Sequence, residues 1–324
     1  MFPAKLDRYI IKKFMATFFI AILLIIGIVI IFDISEKIDD FVAKQAPIKA
    51  IVLDYYVNFI PYFMNMFSPL FVFITVIFFT SRMAANSEII AILSCGVSFH
   101  RMMVPYIFSA TVIALMSLGL NLYVIPRANA QRHVFEAQYT KKKAQAGDRN
   151  IHYQIAPGEF VFVEQFSKYN KTAYKFTLET IEDKVRCGEQ LDTVISLTIK
   201  DFERKKNTVE DLEYGALKEL EAVQEMRGDA NIKYTQIEKH NRFSLPFSAF
   251  ILTIMGVALS SRKKRGGIGW NLAVGIALSF SYILFMKFSQ MFVYTGVMPP
   301  WIAIWLPNII FTVVSGVLYK IAPK

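Results

Sequence analysis

Residues 82–101 read RMAANSEIIAILSCGVSFHR, a short, half-apolar stretch between two long uncharged runs. Val57–Thr80 precedes it without a charge, and Met102–Ile125 follows it without one. Wound as helices, apolar runs of roughly 20 residues match the hydrocarbon thickness of a bilayer. The stretch therefore turns the chain around at a membrane face, and its own pattern predicts a short helix lying there. Asn86 or Ser87 can cap that helix, Ile89, Ile92 and Leu93 give it an apolar side, and Gly96 can end it. Such a connector is a place where something outside the membrane can push on the part inside.

Outward from the connector, the same criterion marks six spans: Phe14–Phe32, Val57–Thr80, Met102–Ile125, Phe243–Ser261, Ile268–Met286 and Trp301–Tyr319. The last two share one apolar region, split at the turn residues Thr295-Gly296 and Pro299-Pro300, with Tyr294 and Trp301 suited to an interfacial belt. The chain of 324 residues is 54% hydrophobic and 19% charged, with the apolar residues gathered in these runs. The class is a polytopic α-helical membrane protein. Phe14–Phe32 is too long for the apolar core of a cleaved leader and no small-residue cleavage site follows it. Cys95 and Cys187 make neither a disulfide framework nor a metal site.

Basic residues set the orientation. Residues 1–13, 82–101, 262–267 and 320–324 together carry twelve Lys or Arg and two acids, whereas Asp33–Tyr56 carries three Lys and five acids. Pro126–Arg242 is nearly neutral, with twenty basic and nineteen acidic residues. The positive-inside rule puts both termini and the connector in the cytoplasm and residues 126–242 outside. The net charge of +10 is thus a topology signal and points to no nucleic acid.

Three domains follow: spans one to three in residues 1–125, an inserted outer domain in 126–242, and spans four to six in 243–324. Ala128–Gln145 lacks Gly and Pro and predicts a helical extension of span three. Alternating runs at 151–155, 159–163, 174–178 and 192–199 predict strands, with Pro157-Gly158 and Asn170-Lys171 as turns. From Thr208, a possible cap, the pattern turns helical, with Glu210 and Asp211 in the first turn and Gly228 at the end. A second helix from about Asp229 leads into span four.

No phosphate loop is present: Gly266-Gly267-Ile268-Gly269 follows a basic turn rather than a strand. No H-E-x-x-H or G-x-S-x-G occurs, and His100, His133, His152 and His240 lack ligand spacing, so they read as isolated surface or interfacial residues. The chain reads as a non-enzyme with no catalytic residues, metal or cofactor of its own, and any work it does needs an external engine.

Four pieces carry a family resemblance: Leu6-Asp7-Arg8-Tyr9-Ile10; Ser87–Leu93 with Gly96-Val97-Ser98 and Arg101; Glu238–Pro246; and Gly256–Leu259 with 261–267. In their order and spacing the chain resembles the permease subunits of the lipopolysaccharide export system, the LptF/LptG family of ABC transporters. The resemblance implies a half-transporter that pairs with a second LptF/LptG-type permease above an LptB-like ATPase dimer, which holds ATP and Mg. Lipopolysaccharide would leave the bacterial inner membrane through a gate between the permeases and pass to LptC/LptA-like periplasmic jellyroll proteins. By position the connector corresponds to the family's coupling helix, with Ser87, Glu88, Ile89, Ile92, Gly96 and Arg101 as ATPase-coupling residues and Glu88 as the acidic contact. Read alone, Glu88 is also an ordinary solvated loop acid and Gly96 a helix end.

Lys287 is the one charge in spans five and six, near the outer end of span five. It is either a cation for a lipid A phosphate at the gate or a lysine snorkelling to the interface. Lys37, just past span one, has the same two readings, with Glu36, Asp39 and Asp40 as nearby partners. Asn58, Asn65 and Asn121 read as helix-packing residues, Pro61, Pro69 and Pro246 as helix bends or starts, and Arg262–Arg265 as an orientation anchor. The family's outer domain is a full jellyroll, yet Glu182–Gly188 runs almost directly from the third strand to the last, so the expected domain is jellyroll-like but shortened. Two competing functions are a membrane-anchored scaffold presenting a β domain and a permease for another lipid or lipoprotein. A scaffold has no need for a capped amphipathic connector.

Overall fold

The computed structural model describes residues 5–140, 149–156, 159–167, 172–180, 209–229, 231–261 and 267–322. Among the described residues, six helices are long and apolar enough to cross a membrane. In chain order, α1 is Lys5–Ala43, α2 is Ile48–Ala85 and the connector helix α3 is Glu88–Ser94. Next come α4, Phe99–Tyr139, and three strands, β1 Arg149–Ala156, β2 Glu159–Ser167 and β3 Thr172–Thr180. Then follow α5 Tyr214–Met226, α6 Ile232–Ser260, α7 Gly267–Tyr294 and α8 Pro300–Ile321.

The spans sit where the apolar runs predict, but several helices continue beyond them. Asp33–Tyr56, expected as a loop, is mostly helix: α1 runs on to Ala43 and α2 begins at Ile48. Residues 28–46 contain no Gly or Pro, and Asp33 and Lys37 pair at i,i+4 across 3.1 Å, so nothing breaks the helix until Gln45 takes φ 50°. Span three and its predicted extension form one helix, which stops at Tyr139 rather than Gln145. There Thr140 is extended and its hydroxyl donates to the Glu136 carbonyl at 2.5 Å. The helix expected from Thr208 begins at Tyr214, because residues 210–212 form a turn into the bundle instead. Gly228, at φ 60°, ends it as expected, and α6 starts at Ile232 rather than Asp229. Both α2 and α4 contain a π-helical stretch, Ile51–Tyr56 and Leu120–Val124.

Helix α2 is the hub and packs against α1, α4, α6 and α7. Phe73, Val76 and Ile77 on α2 meet Leu252, Met255 and Val257 on α6, all fully buried. Gly256 permits that approach: a Cβ there would lie 2.9 Å from Val76 Cγ1 and 3.2 Å from Phe73 Cδ2. Of the expected packing asparagines, Asn65 bridges helices, donating to Asn121 Oδ1 at 2.8 Å and accepting from Ser117 at 2.6 Å. Asn58 donates to the Asp54 carbonyl at 2.9 Å on its own helix, and Pro61, Pro69 and Pro246 lie inside helices.

The strands form an antiparallel sheet in the order β1-β2-β3, with Tyr153 opposite Val161 and Val161 opposite Leu178. The alternation behind the strand expectation is visible in β2, where Val161 and Val163 are buried on one face. Residues 192–199, Glu182–Gly188, both predicted turns, Cys187 and the Arg262–Arg265 cluster lie outside the described residues.

Candidate functional site

Two polar assemblies stand at opposite ends of the bundle. The connector end gathers the starts of α1 and α4, the end of α2, the connector helix α3 and the end of α8. Ser87 occupies the N-cap position of α3 at φ 61°, and its side chain does not supply the cap expected of it. Instead Asn86 Nδ2 donates to Glu88 Oε1 at 3.1 Å. Gly96 ends the helix as its position predicts, at φ 83° with its N–H on the Leu93 carbonyl at 3.0 Å. Ile89 is buried, Ile92 and Leu93 are partly buried, and Ile90 and the free Cys95 are exposed. Ser98 caps α4 by accepting from Arg101 N at 3.3 Å.

Two contacts tie the connector to the first turns of α1. Arg101 donates through Nη1 and Nη2 to the two carboxylate oxygens of Asp7, at 2.8 and 2.6 Å. The Tyr9 hydroxyl donates to Glu88 Oε2 at 3.4 Å. His100 Nδ1 lies 3.2 Å from the Tyr319 hydroxyl and joins the end of α8 to the same corner. The sequence pieces around Asp7 and around Arg101 therefore meet in space, 94 residues apart.

At the far end, Lys37 is surrounded. Its ammonium lies 3.1 Å from Asp33 and 3.6 Å from Glu136, and it also donates to the Tyr55 hydroxyl. Asp33 in turn accepts from Tyr55 and Tyr56, each at 3.1 Å. Glu36, Asp39 and Asp40 are not the partners that sequence proximity suggested. The i−4 residue and a carboxylate on α4 take that place, because a helix brings i and i−4 to one face. Beyond Glu136, Arg132 follows at 3.8 Å, its Nη2 lies 3.4 Å from His133 Nε2, and His133 Nδ1 lies 2.8 Å from Asp211. His133, expected to be isolated, is thus part of a network. Leu212, next along the chain, offers its carbonyl to Arg242 Nη2 at 2.8 Å, and Arg242 Nε pairs with Glu238 at 3.0 Å. Glu213 pairs with Arg127 at 2.9 Å. The segment that enters the bundle from the outer domain is thereby keyed to α4 and α6.

Between these elements lies a cavity of ≈ 180 Å³, lined by Tyr62, Asn121, Asn129, Glu210, Arg242 and Lys287 among others. Asn121 Nδ2, both side-chain polar atoms of Asn129 and Arg242 Nη1 are buried there without a protein partner. A cavity this polar and roomy can satisfy such groups with water. Burial, and then the nearby Glu238 charge, push the Glu210 carboxyl above its ordinary pKa. Lys287 lies at the exposed rim of this cavity, and among the described residues no carboxylate is within ion-pair distance of it. The two lysines with parallel sequence readings therefore differ: Lys37 is neutralised and Lys287 is uncommitted. No cluster of potential metal ligands occurs among the described residues.

Sequence reasoning missed Asp7 as a partner, along with Tyr9, Asp33, Glu136, Asp211 and Arg242. The i,i+4 spacings of Asp33 with Lys37, Arg132 with Glu136 and Glu238 with Arg242 carried a local signal, whereas Asp7, Tyr9 and Asp211 carried none.

Six membrane-length helices and a polar connector between the second and third define a multi-pass helical membrane protein. The model of the lipopolysaccharide export system permease LptF/LptG matches residues 8–187 and 182–321, and the chain belongs to that family. Family membership makes it a transporter component of lipopolysaccharide export in the inner membrane. The two matched segments overlap at residues 182–187, which lie outside the described residues. No curated protein matches the chain by sequence.

Proposed function

We propose that this chain is the membrane half of an ABC-type exporter, drawing lipopolysaccharide from the inner membrane on the energy of a separate ATPase. ATP and Mg belong to that partner, which docks under α3. The observation that carries this reading is the joining of the connector to α1 by Arg101–Asp7 and Glu88–Tyr9. A bare turn between spans needs no such fixture, whereas a segment that receives force does. In this reading the connector end is cytoplasmic and the sheet periplasmic, in line with the charge balance of the segments. A second permease faces this one across the gate. Lys287 is its cation for a substrate phosphate, supported by its exposure and its lack of an ionic partner among the described residues. Lys37, already held by Asp33 and Glu136, serves as a positioning residue. Among the described strands β1 and β3 are the outer members of the sheet, and strand addition at such an edge by a jellyroll partner would suit a handover toward the outer membrane.

Copurification tests the assembly. The ATPase dimer is expected to accompany the wild-type permease pair, and Glu88→Arg to abolish ATP-dependent lipopolysaccharide release. Unchanged release with Glu88→Arg removes the coupling assignment. For Lys287, a photocrosslinker at that position is expected to yield lipopolysaccharide adducts. Adducts elsewhere in the gate but none at 287 remove its role.

A further inference from the structure

We infer that α1 acts as a lever, joined to the connector at one end and, at the other, to a chain of charged side chains that reaches the segment entering from the outer domain. This rests on the proposal above, in which the connector receives the push, and adds the route by which it travels.

The inner attachment is directional. Two parallel hydrogen bonds between one guanidinium and one carboxylate fix orientation as well as distance. With Arg101 on Asp7 and Glu88 on Tyr9, the first two turns of α1 follow the connector helix and the start of α4. A helix is stiff along its axis, and Asp7 and Lys37 are roughly 45 Å apart at 1.5 Å per residue.

The middle of α1 is held by one narrow stripe, Phe14, Phe18 and Ile22, which is buried against the bundle. Of its most apolar window 17% is buried, against 67% for α2 and for α6. Ile20, Leu23, Leu24, Ile31 and Phe32 point outward. Lipid chains are as apolar as these residues, so a shift of α1 against lipid meets little resistance.

The outer attachment is polar again and leads onward. Asp33 and Lys37 engage Tyr55 and Tyr56, which lie in the π-helical stretch of α2, a backbone form common at functional sites. Lys37 also meets Glu136, and from there Arg132, His133 and Asp211 follow in unbroken succession. Displacing α1 moves a cation away from Glu136, and Glu136 is then left to Arg132. Arg132 is the neighbour of His133, which holds the segment at Asp211. A push on the connector thus reaches the tether of the outer domain along this succession of contacts.

The test uses the assembled complex with its ATPase in lipid nanodiscs, carrying one reporter cysteine in a Cys95→Ser, Cys187→Ser background. Ile38→Cys reports on the outer end of α1 and Ala216→Cys on α5. The rate of maleimide labelling is read without nucleotide and with ATP and vanadate. Both reporters are expected to change rate on trapping. Asp7→Asn is expected to abolish the change at both, and exchanging the charges (Asp7→Arg with Arg101→Asp) to restore it. Glu136→Gln is expected to leave the change at 38 and abolish it at 216. If Asp7→Asn does not assemble, Arg101→Lys, which keeps the charge and gives up the two-pronged geometry, is read in the same way. A nucleotide-dependent change at 38 that persists without the clamp overturns the lever, as does wild-type complex that releases lipopolysaccharide with no change at 38. Wild-type chain that binds no ATPase overturns the lever together with the exporter reading.

Discussion

The two ends of the bundle hold their charges in opposite ways. At the connector end the Arg101 side chain is 47% exposed while its partner Asp7 is 11% exposed. At the far end the Arg242 side chain is 2% exposed and Glu238 24%. An ion pair with one foot in water contributes little net stability, because solvent can replace either partner. A pair out of water is costly to break, because the group left behind has no substitute. The connector end therefore fixes the orientation of α1 at little consequence for stability, and the far end holds the outer segment in place. A transporter that passes a mechanical signal across a membrane needs both.

The largest effect expected from breaking this contrast is at Arg242. Arg242→Ala strands Glu238 and frees the Leu212 carbonyl. The loss is expected at about 3 kcal/mol, the lower end for a broken buried pair, since Glu238 keeps some contact with water. Thermal unfolding in detergent measures it, and a shift no larger than that of a surface substitution would refute the assignment. Next is Gly256→Val. Its new Cβ would lie 2.9 Å from Val76 Cγ1, closer than side chains approach, and tightly at 3.2 Å from Phe73 Cδ2, so overpacking of about 1–3 kcal/mol is expected, read as a lower melting temperature.

The half-buried acid Glu210 gives a smaller effect with a definite sign. Glu210 has its folded pKa raised above the ordinary 4.5. Below the unfolded pKa the carboxyl is protonated in both states and contributes nothing. As pH rises, the unfolded chain loses the proton first, so the folded state binds more protons and stability falls until the folded pKa is passed. Glu210→Gln is expected to raise the melting temperature at pH 8 and leave it nearly unchanged at pH 4. A gain at acidic pH that vanishes at alkaline pH would reverse the argument.

How much of this was legible in the sequence depended on distance along the chain. The spans could be read because each is a local run whose length alone matches the bilayer. The connector could be read because its ending, Gly96, and its apolar side are local patterns. What stayed hidden were polar helix turns and remote partners. Asp33–Ala43 looks like a loop by composition and is helix, because its charges are met by Tyr55, Tyr56 and Glu136 from other helices. Glu210 and Asp211 look like first-turn acids and instead turn inward, to the cavity and to His133. Nothing in the order of residues distinguishes Asp7 from the other acids as the partner of Arg101. That choice is made by packing α1 beside α4.

The smallest effect on stability is expected at Arg101. Removing Arg242 takes away a guanidinium that is only 2% exposed, so water reaches poorly the place it leaves and the Leu212 carbonyl it held. Removing Arg101 uncovers Asp7, because the departing guanidinium was itself half in solvent and water takes its position. Arg101→Ala should therefore melt close to the wild type while ATP-dependent lipopolysaccharide release falls severalfold. Arg101→Lys should recover melting fully and release only in part, since an ammonium cannot grip both carboxylate oxygens at once. A joint loss of melting temperature and release in Arg101→Ala would mean that the clamp holds the fold together like its counterpart at the far end. The difference between the two ends would then be one of exposure alone, with no division of labour behind it.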